Sequence, residues 1–255
     1  MAWSSPHAVL NIAAGGLLAG QAYVDVISAN IANVNTNGYK RARLDFQELL
    51  TRLSGGDMAR TGVWPAQVTH LFEQGALRSS ANPLDLAIEG EGFFMLRLPD
   101  GRTAYTRDGS FHRDAAGTIV NADGFPLIYE GGIPEGALEL HVNPDGSLMA
   151  RVETANGQEW QQVGTIRLAR FINPAGLLTE AHNLFLPTAA SGAAQVGTPG
   201  QESLGEIIGG ALEGSNTDLS QAMTELIIAQ RSYALSLRAL QQADEMLALA
   251  VQLRR

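Results

Sequence analysis

No cysteine occurs among the 255 residues. Disulfide scaffolds, thiol nucleophiles and Cys-ligated metals are therefore excluded. The chain also has only one lysine, Lys40, and its net charge of −9 argues against nonspecific binding to nucleic acid or to an anionic membrane. Aromatic residues make up 6%, which leaves few large anchors, whereas 28 glycines call for many turns. No run reaches the ~20 uninterrupted apolar residues of a membrane span. The stretch at 8–24, AVLNIAAGGLLAGQAYV, is broken by Asn11 and Gln21, and no Lys or Arg precedes it. It therefore reads poorly as a cleaved signal peptide, and a protein leaving the cytoplasm would keep this N-terminus. At 45% hydrophobic and 17% charged residues, the composition is that of a folded protein rather than a disordered one.

What is present begins with two matching ends. Leu10, Ala14, Leu17, Val24, Ile27, Ile31 and Val34 follow steps of three and four, with Gly20 or Gln21 filling the one gap, a seam with a period near 3.5. The spacing predicts a helix from about Pro6 to Asn33, capped by Ser4 or Ser5. At the far end, Leu219, Met223, Leu226, Tyr233, Leu237, Leu240, Leu247 and Val251 keep the same rhythm, with Gln230 and Asp244 as polar interruptions. Asn216 or Thr217 supplies a cap and Asp218 an acid in the first turn. No Gly or Pro lies between Thr217 and Arg255. One helix of about 50 Å is expected, at ~1.5 Å per residue. Ala13, Ala14, Gly15, Gly16, Ala19 and Gly20 would let a partner backbone approach the first helix closely.

Between the ends the pattern becomes β. FFMLRL and RTAYTR flank Pro99-Asp100-Gly101, SFHRD and TIVNA flank Ala115-Ala116-Gly117, and LELHVN and SLMARV flank Pro144-Asp145-Gly146. Each is a hairpin signal. The expected class is α+β: long N- and C-terminal helices pairing as a coiled coil and enclosing an antiparallel all-β domain. The expected divisions are 1–34 with 212–255 as the helical domain, 35–62 as a connecting segment, and 63–211 as the β-rich domain.

Catalytic patterns are weak. The Asp-Gly steps sit in turns and lack the alternating acids of a calcium loop. Glu89 and Glu91 flank Gly90, but a chain with 26 acids offers such pairs by chance. His7, His70, His112, His141 and His182 stand singly, without metal-ligand spacing. No catalytic residue, metal site or cofactor is expected.

Three long segments carry a resemblance. DVISANIANVNTNGYKRARLDFQELL (25–50), EGEGFFMLRLPDGRTAYTRDGSFHRDAAGTIVNADGFPLI (89–128) and LEGSNTDLSQAMTELIIAQRSYALSLRALQQADEML (212–247) resemble, in order, the N-terminal, central and C-terminal signatures of the bacterial flagellar rod and hook family. The chain lacks the large central insertion of hook members. Within the family the likeness is greatest to its distal rod members, through Thr61-Gly62-Val63-Trp64-Pro65. The segment between Leu50 and Thr61 is short for a distal member, which keeps the proximal rod member and other hook-basal-body paralogues as alternatives. The resemblance implies a non-enzymatic subunit that assembles into a helical homopolymer, exported through the flagellar export apparatus without signal cleavage. It implies contacts with other rod and hook proteins, with ring proteins as further candidates, at the basal body outside the cytoplasmic membrane. No nucleic acid and no membrane insertion are implied. The seam residues would form helix and subunit contacts. Outward apolar residues such as Ile12, Leu18, Ile228, Leu235 and Leu249 would await a neighbour, leaving both ends disordered in the free subunit. Asn35, Asn37 and Gly38 would form a hinge where the first helix ends, because these residues accept left-handed or turn geometry.

Overall fold

A computed structural model describes residues 6–52, 58–134, 136–154, 157–201 and 203–253. Helix α1 spans Pro6–Ala32 and helix α2 spans Leu219–Leu253, at the two ends of the chain. Among the described residues between them, all regular structure is extended apart from one short 3-10 turn, and every strand pair is antiparallel. The α+β expectation holds at this level.

The residues group into two compact units. The first contains 1–32, 42–71 and 217–255. Besides the helices it holds a long hairpin, β1 (Ala42–Arg52) and β2 (Met58–His70), paired from Ala42↔His70 to Arg52↔Met58. The segment expected as a connector is thus largely sheet. Its strand alternation, with Ala42 and Leu44 buried, is hidden in the sequence by intervening charges. Asn30 pins helix to hairpin. Its side-chain amide donates to the Ala42 carbonyl and accepts from the Ala42 N–H, both at 2.8 Å. The ring of Tyr23 meets Phe46 edge-on at 5.9 Å. The cap of α2 is Asp218 rather than Asn216 or Thr217. Its Oδ1 accepts from the N–H groups of Ser220 at 2.8 Å and Gln221 at 3.1 Å, satisfying free donors of the first turn.

From Ile12 to Ala32, α1 is long and apolar enough, by length and composition alone, to cross a membrane. Gln21, Asp25, Ser28 and Asn30 still interrupt that stretch, so no uninterrupted apolar run spans it. Most of that stretch is not buried within the chain.

The second unit contains 33–41 and 72–216. The three expected hairpins form: 94–97 with 103–106, 112–113 with 119–120, and 139–142 with 147–154. Its main core places Leu86, Ile88, Phe94, Leu96, Ile119, Leu148, Ile166 and Ile207 out of solvent. A second cluster gathers Phe93, Tyr105, Phe171 and Phe185, whose rings meet edge-on.

Candidate assembly surface and neck

Within the first unit the helices touch through a narrow, mostly small stripe. Ile27, Ala222 and Ala229 are buried together, with Tyr23, Val24, Ile31 and Leu226 packed against them. A Cβ added to Gly16 would lie 3.3 Å from Ser236 Oγ, and one on Gly20 would lie 3.5 Å from the Tyr233 backbone. Rising numbers on α1 meet falling numbers on α2, so the helices run antiparallel. Small residues bring the backbones close, as the glycine and alanine pattern predicts.

The seam residues divide accordingly. Val24, Ile27, Ile31 and Leu226 lie in the helix contact, and Leu17, Tyr233 and Leu240 are partly buried. Leu219, Met223 and Leu237 are exposed, so in the single chain the contact is turned toward Ala222, Ala229 and Ala243. The side chains of Leu10, Leu247 and Val251 lie outside the described ones. The rotation has a physical reason. Large apolar residues occur on most sides of α2, so periodicity selects by size, whereas close packing selects the small side.

A large apolar surface remains open. Ile228 is 59% exposed, Leu235 64%, Met246 62% and Leu249 59%. Ile12 and Leu18 are likewise exposed on α1. An open notch of about 330 Å³ lies between α1, β1 and α2, lined by residues including Gly16, Gly20, Tyr23, Phe46 and Ile228.

In the second unit, the asparagine-rich run is held tightly. Among the named hinge residues only Gly38 takes left-handed geometry, with φ of +66°. A Cβ there would stand 2.3 Å from the Asp108 nitrogen, and the Gly38 N–H donates to the Glu213 carbonyl at 2.8 Å. Asn37 donates from Nδ2 to Ser110 Oγ at 3.2 Å, and its own carbonyl accepts from Asn183 at 3.3 Å. Asn35 is exposed in the turn and, like Asn37, has no positive φ.

Two residues on, Lys40 is buried. Its Nζ donates to Glu213 Oε1 at 2.6 Å and to the Glu73 carbonyl at 2.8 Å. Arg107 donates to Glu213 Oε2 at 3.4 Å and to the Gly90 carbonyl at 2.6 Å, with its guanidinium 5.5 Å from the centre of the Phe93 ring. Burial holds the Lys40 ammonium below its ordinary pKa, with Glu213 opposing. Nearby, burial pushes the Asp108 carboxyl up, against the hydrogen bonds it accepts from Ser110. Arg107 and Glu213 had no sequence signal of their own. Lys40 had one, as the sole lysine.

The acids considered for catalysis do not converge. Glu89 and Glu91 are exposed, and Glu91 lies 4.0 Å from Arg170. Among the described residues, no group of three or more His, Asp or Glu is placed to hold a metal.

Comparisons with known proteins agree along the chain. Residues 10–40 match the family described as Flagella basal body rod protein. Residues 87–150 match the Flagellar hook protein FlgE/F/G D1 domain, and 208–253 match the Flagellar basal body rod FlgEFG protein C-terminal family. Lys40, Arg107 and Glu213 fall one in each. The flagellar basal-body rod protein FlgG of Caulobacter vibrioides is 40% identical over 262 residues, covering 96% of this chain and 98% of that protein. FlgG of Agrobacterium fabrum is 39% identical over 252 residues (93% and 95%), and that of Borreliella burgdorferi is 37% identical over 259 (95% and 97%). The chain thus belongs to the flagellar basal-body rod protein family, as a structural component of the flagellum and not an enzyme.

Proposed function

We propose that this rod subunit polymerises with copies of itself through the exposed apolar faces of α1 and α2, giving the hollow helical shaft that transmits torque from motor to hook. The carrying observation is the exposure of Ile228, Leu235, Met246 and Leu249 on one helix. Burying each such side chain against a neighbour is worth roughly 1.5–3 kcal/mol. A contact that repeats without closing produces a helical filament. In this reading the helices pair as a coiled coil and line the inner tube, the β-rich unit forms the outer layer, and Leu219, Met223 and Leu237 serve contacts between copies. The subunit reaches its place through the flagellar export apparatus with no signal removed, and there meets other rod, hook and ring proteins. Its relatives favour the distal segment. The proximal segment is the alternative, supported by the short stretch after Leu50.

Leu235→Asp tests the reading. The purified variant should keep the near-ultraviolet signature of the β-rich unit, yet fail to enter basal bodies and leave cells non-motile. A variant that assembles and restores swimming would overturn it. Electron microscopy of a deletion strain then shows at which segment the shaft stops.

A further inference from the structure

Every covalent link between the two units passes through residues 33–41, the stretch starting at Phe72, or the stretch ending at Asn216. All three stretches converge on one carboxylate. Glu213 Oε1 accepts from Lys40 Nζ at 2.6 Å and from the Gly75 N–H at 2.8 Å, while the Glu213 carbonyl accepts from the Gly38 N–H at 2.8 Å. Lys40 also holds the Glu73 carbonyl. Arg107 joins this knot to the core, through the Gly90 carbonyl and the Phe93 ring. Asn216 repeats the tie: its Nδ2 donates to the Glu73 carbonyl at 3.1 Å and its Oδ1 accepts from the Arg41 N–H at 2.7 Å.

We infer that Lys40, Glu213 and Arg107 form a mechanical anchor, which makes load arriving on any one of these stretches fall on all three at once. The inference rests on the rod-subunit reading, in which the chain carries torque. Net stability does not explain the arrangement. Two cations face one carboxylate, with side chains at most 4% exposed, and buried ions stabilise a fold no better than apolar residues of similar volume. Geometry does explain it. A strand peeled from its end gives up its hydrogen bonds one at a time. Segments bonded to a single buried carboxylate must release together.

Lys40→Met is the informative variant. It keeps an unbranched apolar stem and leaves Glu213 balanced by Arg107, so the unit still folds. The full chain has no cysteine of its own, so one added at each end gives unique handles for single-molecule pulling. The parent should show a high-force rupture of the β-rich unit. Lys40→Met should lose that event, and Lys40→Arg, which can still donate to both Glu213 and Glu73, should restore it. Ile88→Val, a core variant compared through its urea midpoint, should keep it. Retention of the event in Lys40→Met, or its equal loss in Ile88→Val, overturns the anchor. In cells, Lys40→Met should build rods in normal number but lose motility as the medium is made viscous. Normal swimming at high viscosity overturns the anchor alone, whereas absence of even the parent chain from rods overturns the rod reading instead.

Discussion

Lys40 and Glu213, 173 residues apart in sequence, meet with Nζ 2.6 Å from Oε1, and neither side chain reaches solvent. Removing the carboxylate would leave Lys40 and Arg107 as two buried cations beside a neutral amide. Glu213→Gln should therefore cost about 3–5 kcal/mol, the range for breaking a buried pair from one side. Urea unfolding of the purified chain measures it, and a loss typical of a surface substitution would show that solvent reaches the site.

Gly38→Ala should destabilise more than the left-handed backbone alone explains. That conformation costs an L-residue about 1–2 kcal/mol. Here the new methyl group would also meet the Asp108 backbone at 2.3 Å, which cannot swing aside as a side chain could. Gly101→Ala is the control, since its φ is +85° with nothing within 4 Å. The difference between the two urea midpoints isolates the clash.

The helix contact buries mostly small side chains: Ile27 is the one large residue in its buried cluster, beside Ala222 and Ala229, with a few neighbours in part. An apolar helix without more cover is marginal in water. In dilute monomer, amides across 217–250 should exchange with solvent far faster than those of the 86–89 and 94–97 strands. Assembly should then slow them. Strong protection of α2 in the monomer would contradict this.

Stability should carry a pH signature from Asp108. Burial raises its folded-state pKa above the ordinary carboxylate value, so the folded chain holds the proton more tightly than the unfolded chain. Its contribution is fully present below the unfolded value. It is lost as pH rises from there through the folded value. The stability of the parent minus that of Asp108→Asn should accordingly fall across that window and be flat above it. Urea midpoints over a pH series read this directly, and a constant difference would contradict it.

Much of this was legible along the chain. The two terminal helices follow from apolar periodicity and from the lack of Gly or Pro after Thr217. The hairpins at 99–101, 115–117 and 144–146 follow from turn chemistry between alternating runs. Of Asn35, Asn37 and Gly38, all read as accepting left-handed or turn geometry, only Gly38 is left-handed, and the sequence did not single it out. The hairpin at 42–70 was not legible, because the buried Ala42 and Leu44 alternate with Arg41, Arg43 and Asp45. Nor was the role of Asn30, since an asparagine inside a helical pattern gives no hint that its amide will meet a strand.

The sequence by itself determined where the two helices and the three short-turn hairpins occur, because those choices rest on neighbours within a few residues. It also determined that the chain has no thiol chemistry and a single lysine. Only the tertiary structure decided which side of α2 faces α1, since several sides are apolar and the fit of small residues at Gly16 and Gly20 chooses among them. Only it brought Lys40, Arg107 and Glu213 together. Charges so far apart in the chain carry no mark of their partners until folding removes the water between them.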